Sequence, residues 1–232
     1  MTISTFWMYF DETKLKEEIE IFSSFSTIPN WSLEKLRRVS VYYRDLVKNH
    51  SNHLALMISR LPETQFKSLI AEILNDEQGN GYYHKSHLFL WDNFLKSIGV
   101  NDIKRNIDIP DKMKPFIENS SIDFVVGLEG LGVECICSVY LSIFEKFLKK
   151  HPYILQHYDK VDWLFFDIHV RGEDIHHKEK IRKAVDDLIE SRQINPDLVL
   201  KGYNKAKEAW RQTWCDWINL PEEKAVEALS RA

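Results

Sequence analysis

Between Ser32 and Leu61 the chain carries neither glycine nor proline, and its apolar residues recur at helical spacing. Leu36, Val39, Tyr43, Leu46, Leu54, Met57 and Leu61 fall along one side, with His50 and His53 interleaved. A stripe of that kind must be covered by other elements, and the rest of the chain offers mainly helices for the purpose. Glycine is scarce, 8 in 232 residues, and the 7 prolines cluster at a few joints. Strand-rich chains need turn residues at much shorter intervals.

The remaining helices read in the same way. Asp11-Glu12-Thr13 opens a stretch with Leu15, Ile19 and Phe22 in phase, and Pro29 closes it. Asn30 or Ser32 is positioned to cap the long helix that follows. Pro62-Glu63 reads as the first turn of the next helix, which carries Phe66, Leu69, Ile70, Ile73, Leu74 and Glu77. Gly79-Asn80-Gly81 interrupts it, and a further pattern from His87 through Trp91 and Phe94 ends at Gly99. Residues 100–120 contain Pro110 and Pro115 and are expected to form a loop with one short helix. Ser121 to about Lys150 is apolar on most sides, as in a central buried helix. Asp162 to about Arg192 reads as one long helix, and Pro196 to about Leu220 as the last. The expectation is all-α: one domain over residues 1–232, a bundle of six or seven helices with short joints.

The formal net charge is -4 with both signs mixed along the chain, so no basic stripe points to nucleic acid and no polybasic run to a membrane surface. Met1–Phe10 is apolar but has no basic flank, so no signal peptide is expected. No apolar run reaches the ~20 residues of a membrane span. The three cysteines are an odd number, with Cys135 and Cys137 only two apart, which argues against a disulfide framework and for a reducing cytoplasm.

The chemistry concentrates in three segments. In Phe166-Asp-Ile-His169-Val-Arg-Gly-Glu173-Asp-Ile-His176-His177, residues 169, 173 and 176 fall within ~60° of one another on an ideal helix, as a metal pocket requires. Asp174 projects more than ~90° from the centre of that face, and His177 about 70°. The second segment, Asp76-Glu77-Gln-Gly-Asn-Gly-Tyr-Tyr-His84-Lys-Ser-His87, offers a carboxylate and two imidazoles. Helical phase slightly favours His84 as the partner of Glu77, although the glycines between weaken that comparison. The third is Glu134, a carboxylate on an otherwise apolar helix, expensive there unless paired or ligated. Two or three histidines and three carboxylates from different helices suit hard cations and iron, and they exceed the about four ligands that zinc needs.

At these residues the sequence resembles the haem-oxygenase-like di-iron oxidases, which share their fold with the thiaminase-type proteins. The shared pattern is a Glu beside a glycine-rich turn (Asp76-Glu77-Gln78-Gly79-Asn80-Gly81), and a His before an aromatic-x-x-Phe-Leu helix (His87, Trp91, Phe94, Leu95). A Glu on a central helix (Gly-Leu-Gly-Val-Glu134) and a terminal H-x3-D/E-x2-H complete it. The resemblance spans roughly residues 30 to 215. It implies a haem-oxygenase-like fold and a ligand set of Glu77, His87, Glu134, His169, Glu173 and His176, with register selecting His87 over His84. Asp174 is an alternative to Glu173 if the helix is distorted at Gly172. Some members add a carboxylate from the preceding long helix. Here only His50 and His53 stand near that place, and they are expected to be ordinary core-edge residues or to support the ligands from behind.

The resemblance further implies two Fe(II) ions, dioxygen as co-substrate, and oxidation of a small substrate, amine- or amino-acid-like, by N-oxygenation, desaturation or oxidative C–C cleavage. An external electron donor is then expected, with no nucleic-acid or membrane partner and with homodimer assembly as one option. The rival reading is a metal-free thiaminase-like hydrolase or cofactor-processing enzyme on the same fold, which requires Cys135 to line the pocket as nucleophile. Arg171 is either a carboxylate clamp or, more simply, a surface ion pair, and the tryptophans at 31, 91, 163, 210, 214 and 217 are expected in the core.

Overall fold

A one-turn helix, α1 (Ile3–Trp7), buries Phe6. Asp11 then accepts the Lys14 amide and opens α2 (Glu12–Phe22), whose Leu15 and Ile19 face inward. The computed structural model describes residues 3–22, 24–101 and 111–219, excepting the side chains of Phe22 and residues 173–175. A 3-10 segment over Ser24–Asn30 contains Pro29 and buries Phe25 and Ile28. Ser32 stands in extended backbone, and its hydroxyl accepts the Lys35 amide to start α3 (Leu33–Arg60), the long glycine-free stripe.

The next helix begins later than its prolines suggest. Thr64, not Pro62, caps α4 (Gln65–Glu77) by accepting the Lys67 amide, because a side-chain oxygen answers an orphan amide and a proline ring does not. Gly79, Asn80 and Gly81 all take positive φ (80°, 54° and 84°), which ends α4 and turns the chain back. After a single 3-10 turn, Ser86 caps α5 (His87–Ser97). Short α6 (Lys114–Asn119) and α7 (Ile122–Val125) lead into a π-helical stretch, Val126–Val133, continuous with α8 (Glu134–Leu148). Then come α9 (Pro152–Gln156), α10 (Leu164–Arg171), α11 (Glu173–Glu190) and α12 (Pro196–Asn219).

The segment read as one helix from Asp162 to Arg192 is therefore two, broken at Gly172 (φ -111°, ψ -133°). Among the described residues there is no strand, and the architecture is the all-α, haem-oxygenase-like bundle expected. The longest helices are α2, α3, α4, α5, α8, α11 and α12.

Ile122–Leu148 forms the centre. Among the described residues it alone is a helix long and apolar enough to cross a membrane, with mean hydropathy 1.7, a property the sequence reading overlooked. Its apolarity has another cause here, since 78% of that window is buried by neighbouring helices. Glycines let α12 approach closely. A Cβ on Gly127 would collide with the Val199 carbonyl, and one on Gly202 with that of Phe124. An aromatic core fills the space between α3, α5, α8, α10 and α12. Trp214 packs on Phe25 at 4.7 Å, and Trp91 lies 4.6 Å from Tyr43 and 4.8 Å from Phe165. Truncating the fully buried Trp214 to Ala would cost about 3–5 kcal/mol.

Candidate metal centre

Five helices deliver polar side chains to one buried point in this apolar interior. Glu77 comes from the last turn of α4, and the glycine turn brings His87, the first residue of α5, back onto it. His87 Nδ1 lies 2.8 Å from Glu77 Oε1. His169 arrives from α10, its ring 4.5 Å from that of His87 and stacked on Phe165 at 3.9 Å. Its Nδ1–H donates to the Phe165 carbonyl at 2.7 Å, which in the neutral ring puts the lone pair on Nε2. Glu134 enters from the start of α8, and His50 from α3 donates to its Oε2 at 2.8 Å.

Two groups of donor atoms result, each with all members within 4.8 Å: Glu77, His87 and His169, and His50, Glu77 and Glu134. All five residues are buried, and Glu77 belongs to both groups. A carboxylate common to two donor triads is positioned to bridge two cations. The donor set, carboxylate oxygen with imidazole nitrogen and no thiolate, suits iron or manganese.

The electrostatics divide along the same line. Burial opposes the ionisation of Glu77, yet His87 and His50 hold its pKa below the ordinary value. Glu134 is likewise buried, and hydrogen bonds from His177 and His50 push its pKa lower still. Burial also opposes a charge on His50, but the bond to Glu134 and the charges of Glu77, Glu134 and Glu129 raise its pKa to about 10. His169 goes the other way, to about 3, because of burial and the adjacent His87.

Of the six residues expected as ligands, the structure brings Glu77, His87, Glu134 and His169 together. His84 sits in the exposed 3-10 turn, away from them. His176 is exposed, and its neighbour His177 is the one that faces inward, with Nδ1 3.6 Å from Glu134 Oε1 and Nε2 3.9 Å from Asp76 Oδ2. This corrects the placement read from helical phase. The phase was counted from His169 along an unbroken helix, and the break at Gly172 rotates α11 so that the next histidine takes the inward position. The side chains of Glu173 and Asp174 lie outside the described residues.

His50 takes the second of the two places expected for it, hydrogen-bonded to Glu134 rather than resting at the core edge. One buried participant, Glu129, went unread. Glu129 is 0% exposed. On an α-helix it would lie roughly 140° from Glu134. In the π-helical stretch the Glu134 amide bonds the Glu129 carbonyl instead, which stacks the two residues on one face.

A small cavity of about 20 Å³ opens on the donor cluster and is lined in part by Tyr43, Val133, Cys137, Phe165 and Trp210. It has room for little more than one water molecule. Cys135 points away from it. Its Sγ–H donates to the Gly130 carbonyl at 3.3 Å, it lines a different recess with Trp7 and Phe10, and burial raises its pKa. A thiol so placed is not a nucleophile for this cavity. Arg171 is engaged by Glu145 at 2.6 Å and by Asp167, a structural ion pair rather than a ligand clamp.

Comparison with known proteins agrees with this geometry. No curated protein matches the chain. A crystal structure of a CADD-like protein of unknown function from Nostoc punctiforme superposes with a TM-score of 0.69, covering 93% of this chain and 97% of that one at 17% identity, a likeness of fold. A family model described as iron-containing redox enzyme matches residues 42–211, which include every buried donor named above. The chain belongs to that family of iron-containing redox enzymes.

Proposed function

We propose that this protein is a non-haem di-iron enzyme that uses dioxygen to oxidise a small substrate, amine- or amino-acid-like. The observation that carries the reading is the pair of buried donor triads sharing Glu77. In this reading Glu77, His87 and His169 hold one ion. Glu77, Glu134 and His177 hold the second, with Glu173 or Asp174 completing the set from α11. His50 has its Nε2 committed to Glu134 at 2.8 Å, so it orients that carboxylate from behind.

When bound, a ferrous pair supplies electrons and open coordination positions for dioxygen. The chain's own contribution is positional. The Phe165 carbonyl fixes the His169 tautomer, and Tyr43, Val133 and Phe165 exclude bulk water from the donors. Substrate has to enlarge the small cavity, which favours a ligand of a few heavy atoms or an opening of the Gly172 joint. N-oxygenation, desaturation and oxidative C–C cleavage are the reaction types the reading allows. It also implies an external electron donor and a cytoplasmic setting, with a homodimer as the assembly to test.

The test is to load the metal-free protein anaerobically with ferrous iron, count iron per chain, and mix it with oxygenated buffer while recording oxygen uptake and the visible spectrum. Two irons per chain and a transient absorption band, both lost in Glu134→Ala and His177→Ala, support the proposal. Absence of stoichiometric iron and of oxygen uptake sinks it.

A further inference from the structure

Away from the donor cluster, a cavity of about 200 Å³ lies between α2, α8 and α12. Leu15 and Ile19 of α2 and Ile218 of α12 give it apolar walls, and Tyr140, Trp214 and Cys215 line it as well. At about 15 Å³ for each water-sized probe it has room for roughly ten heavy atoms. An aromatic layer separates it from the donor cavity. Trp210 lines the donor cavity, and the Tyr140 ring stacks on Trp210 at 5.2 Å and on Trp214 at 6.2 Å.

The polar groups around this cavity are unequally satisfied. Glu18 is engaged by Lys207 at 3.1 Å, a pair that ties α2 to α12, and Glu208 by Lys205 at 2.8 Å. Arg211 also lines the cavity and belongs to no ion pair among the described residues. Its charge acts on Glu208 and on the Tyr140 hydroxyl. Arg211, Trp214, Cys215 and Ile218 follow at helical spacing, so they share one face of α12. The Trp214 indole N–H is buried, on a residue 1% exposed, and has no hydrogen-bond partner among the described residues. A buried donor in that condition is costly and calls for an acceptor. Burial raises the pKa of Tyr140, which keeps its hydroxyl a neutral O–H donor. The cavity therefore offers donors, while its two carboxylates are already engaged.

We propose that this cavity binds a small apolar molecule carrying one carboxylate, with the anionic end on Arg211 and the hydrocarbon body against Leu15, Ile19 and Ile218. A guanidinium presents its N–H groups in a fork that matches carboxylate oxygens, and Glu18 and Glu208 are each offset by a lysine. Apolar walls with a few convergent polar groups are the usual make-up of a small-molecule site. A ligand of the same length ending in an ammonium would meet Arg211 as a like charge and is rejected. None of the lining residues belongs to the donor cluster, so binding here needs no iron and does not rest on the proposed oxidase chemistry.

The test uses the full chain, iron-loaded and iron-free, with hexanoate as the probe. Cys215 lines the cavity, so its alkylation by iodoacetamide, read by peptide mass mapping, reports occupancy. Cys135 lies in a separate recess and serves as the control. Hexanoate should slow alkylation of Cys215 saturably, equally with and without iron, and leave the rate at Cys135 unchanged. Arg211→Gln, a change at an exposed side chain, should raise the concentration for half-protection by about tenfold, the loss of one charge-assisted hydrogen bond. Hexylamine should give no protection. Absence of saturable protection, the same half-protection in Arg211→Gln, or protection by hexylamine equal to that by hexanoate overturns the proposal. So does protection confined to the iron-loaded chain, which would put the carboxylate on the metal instead.

Discussion

The two halves of the donor cluster hold their protons differently. On the α4–α5–α10 side, His169 is neutral, with a pKa held near 3 and its tautomer fixed by the Phe165 carbonyl. It already has the form that binds a metal. On the α3–α8 side, His50 is a cation, its pKa raised to about 10 among Glu77, Glu134 and Glu129. There a proton offsets the carboxylates until a divalent ion replaces it. The first half is prepared for loading, while the second must release a proton on loading.

The largest expected effect tests what the two halves share. Glu77→Ala should abolish stoichiometric iron binding altogether, because both triads lose a member, while His87→Ala should spare part of the second. Iron counted after gel filtration decides this. Retention of one tightly bound ion in Glu77→Ala would break the idea of a bridging carboxylate.

Next is the histidine of α11. His177→Ala should lower iron content and leave Glu134 short of a partner, whereas His176→Ala should change iron content little. The reverse order would restore the phase counted through Gly172 and place the break elsewhere.

Third, Glu134→Ala removes one member of a buried pair and leaves His50 without its hydrogen-bonded carboxylate, at a cost of up to about 3–5 kcal/mol. His169→Ala leaves no charge behind and should be milder. Urea midpoints of the metal-free variants measure the difference, and equal losses would show that the two halves are electrostatically alike.

The smallest effect is in pH. The folded pKa of His50 is above its unfolded value of 6.5, so its contribution is fully present below pH 6.5 and is lost as pH rises toward about 10. The pKa of His169 is depressed, so unfolded chains take up protons that the folded chain refuses, and stability falls as pH drops from 6.5 toward about 3. In metal-free protein, His50→Gln should flatten the alkaline slope and His169→Gln the acidic one. A midpoint unaffected by pH on the alkaline side contradicts the assigned His50 cation.

The glycine-free stripe from Ser32 to Leu61, the apolar stretch after Ser121 and the glycine turn at residues 79–81 were each legible, because helical periodicity and positive-φ residues are local properties of the chain. The same locality made Glu77, His87, Glu134 and His169 readable as candidates, with His87 chosen over His84 by motif register. Readings that extended a regular helix through an irregularity did not hold. The break at Gly172 exchanged His176 for His177, and the π-helical turns brought Glu129 onto the face of Glu134. A single residue of phase moves a side chain by about 100°, and whether a helix keeps its phase depends on what packs against it. The sequence by itself determined the all-α bundle, its central apolar helix and the residue types of the site. Only the tertiary structure decided which histidine of the pair at 176–177 turns inward, that His50 is bound to Glu134, and that Glu129 stands between two imidazoles. Those are contacts between distant segments, set by close approaches of helices that no local pattern encodes.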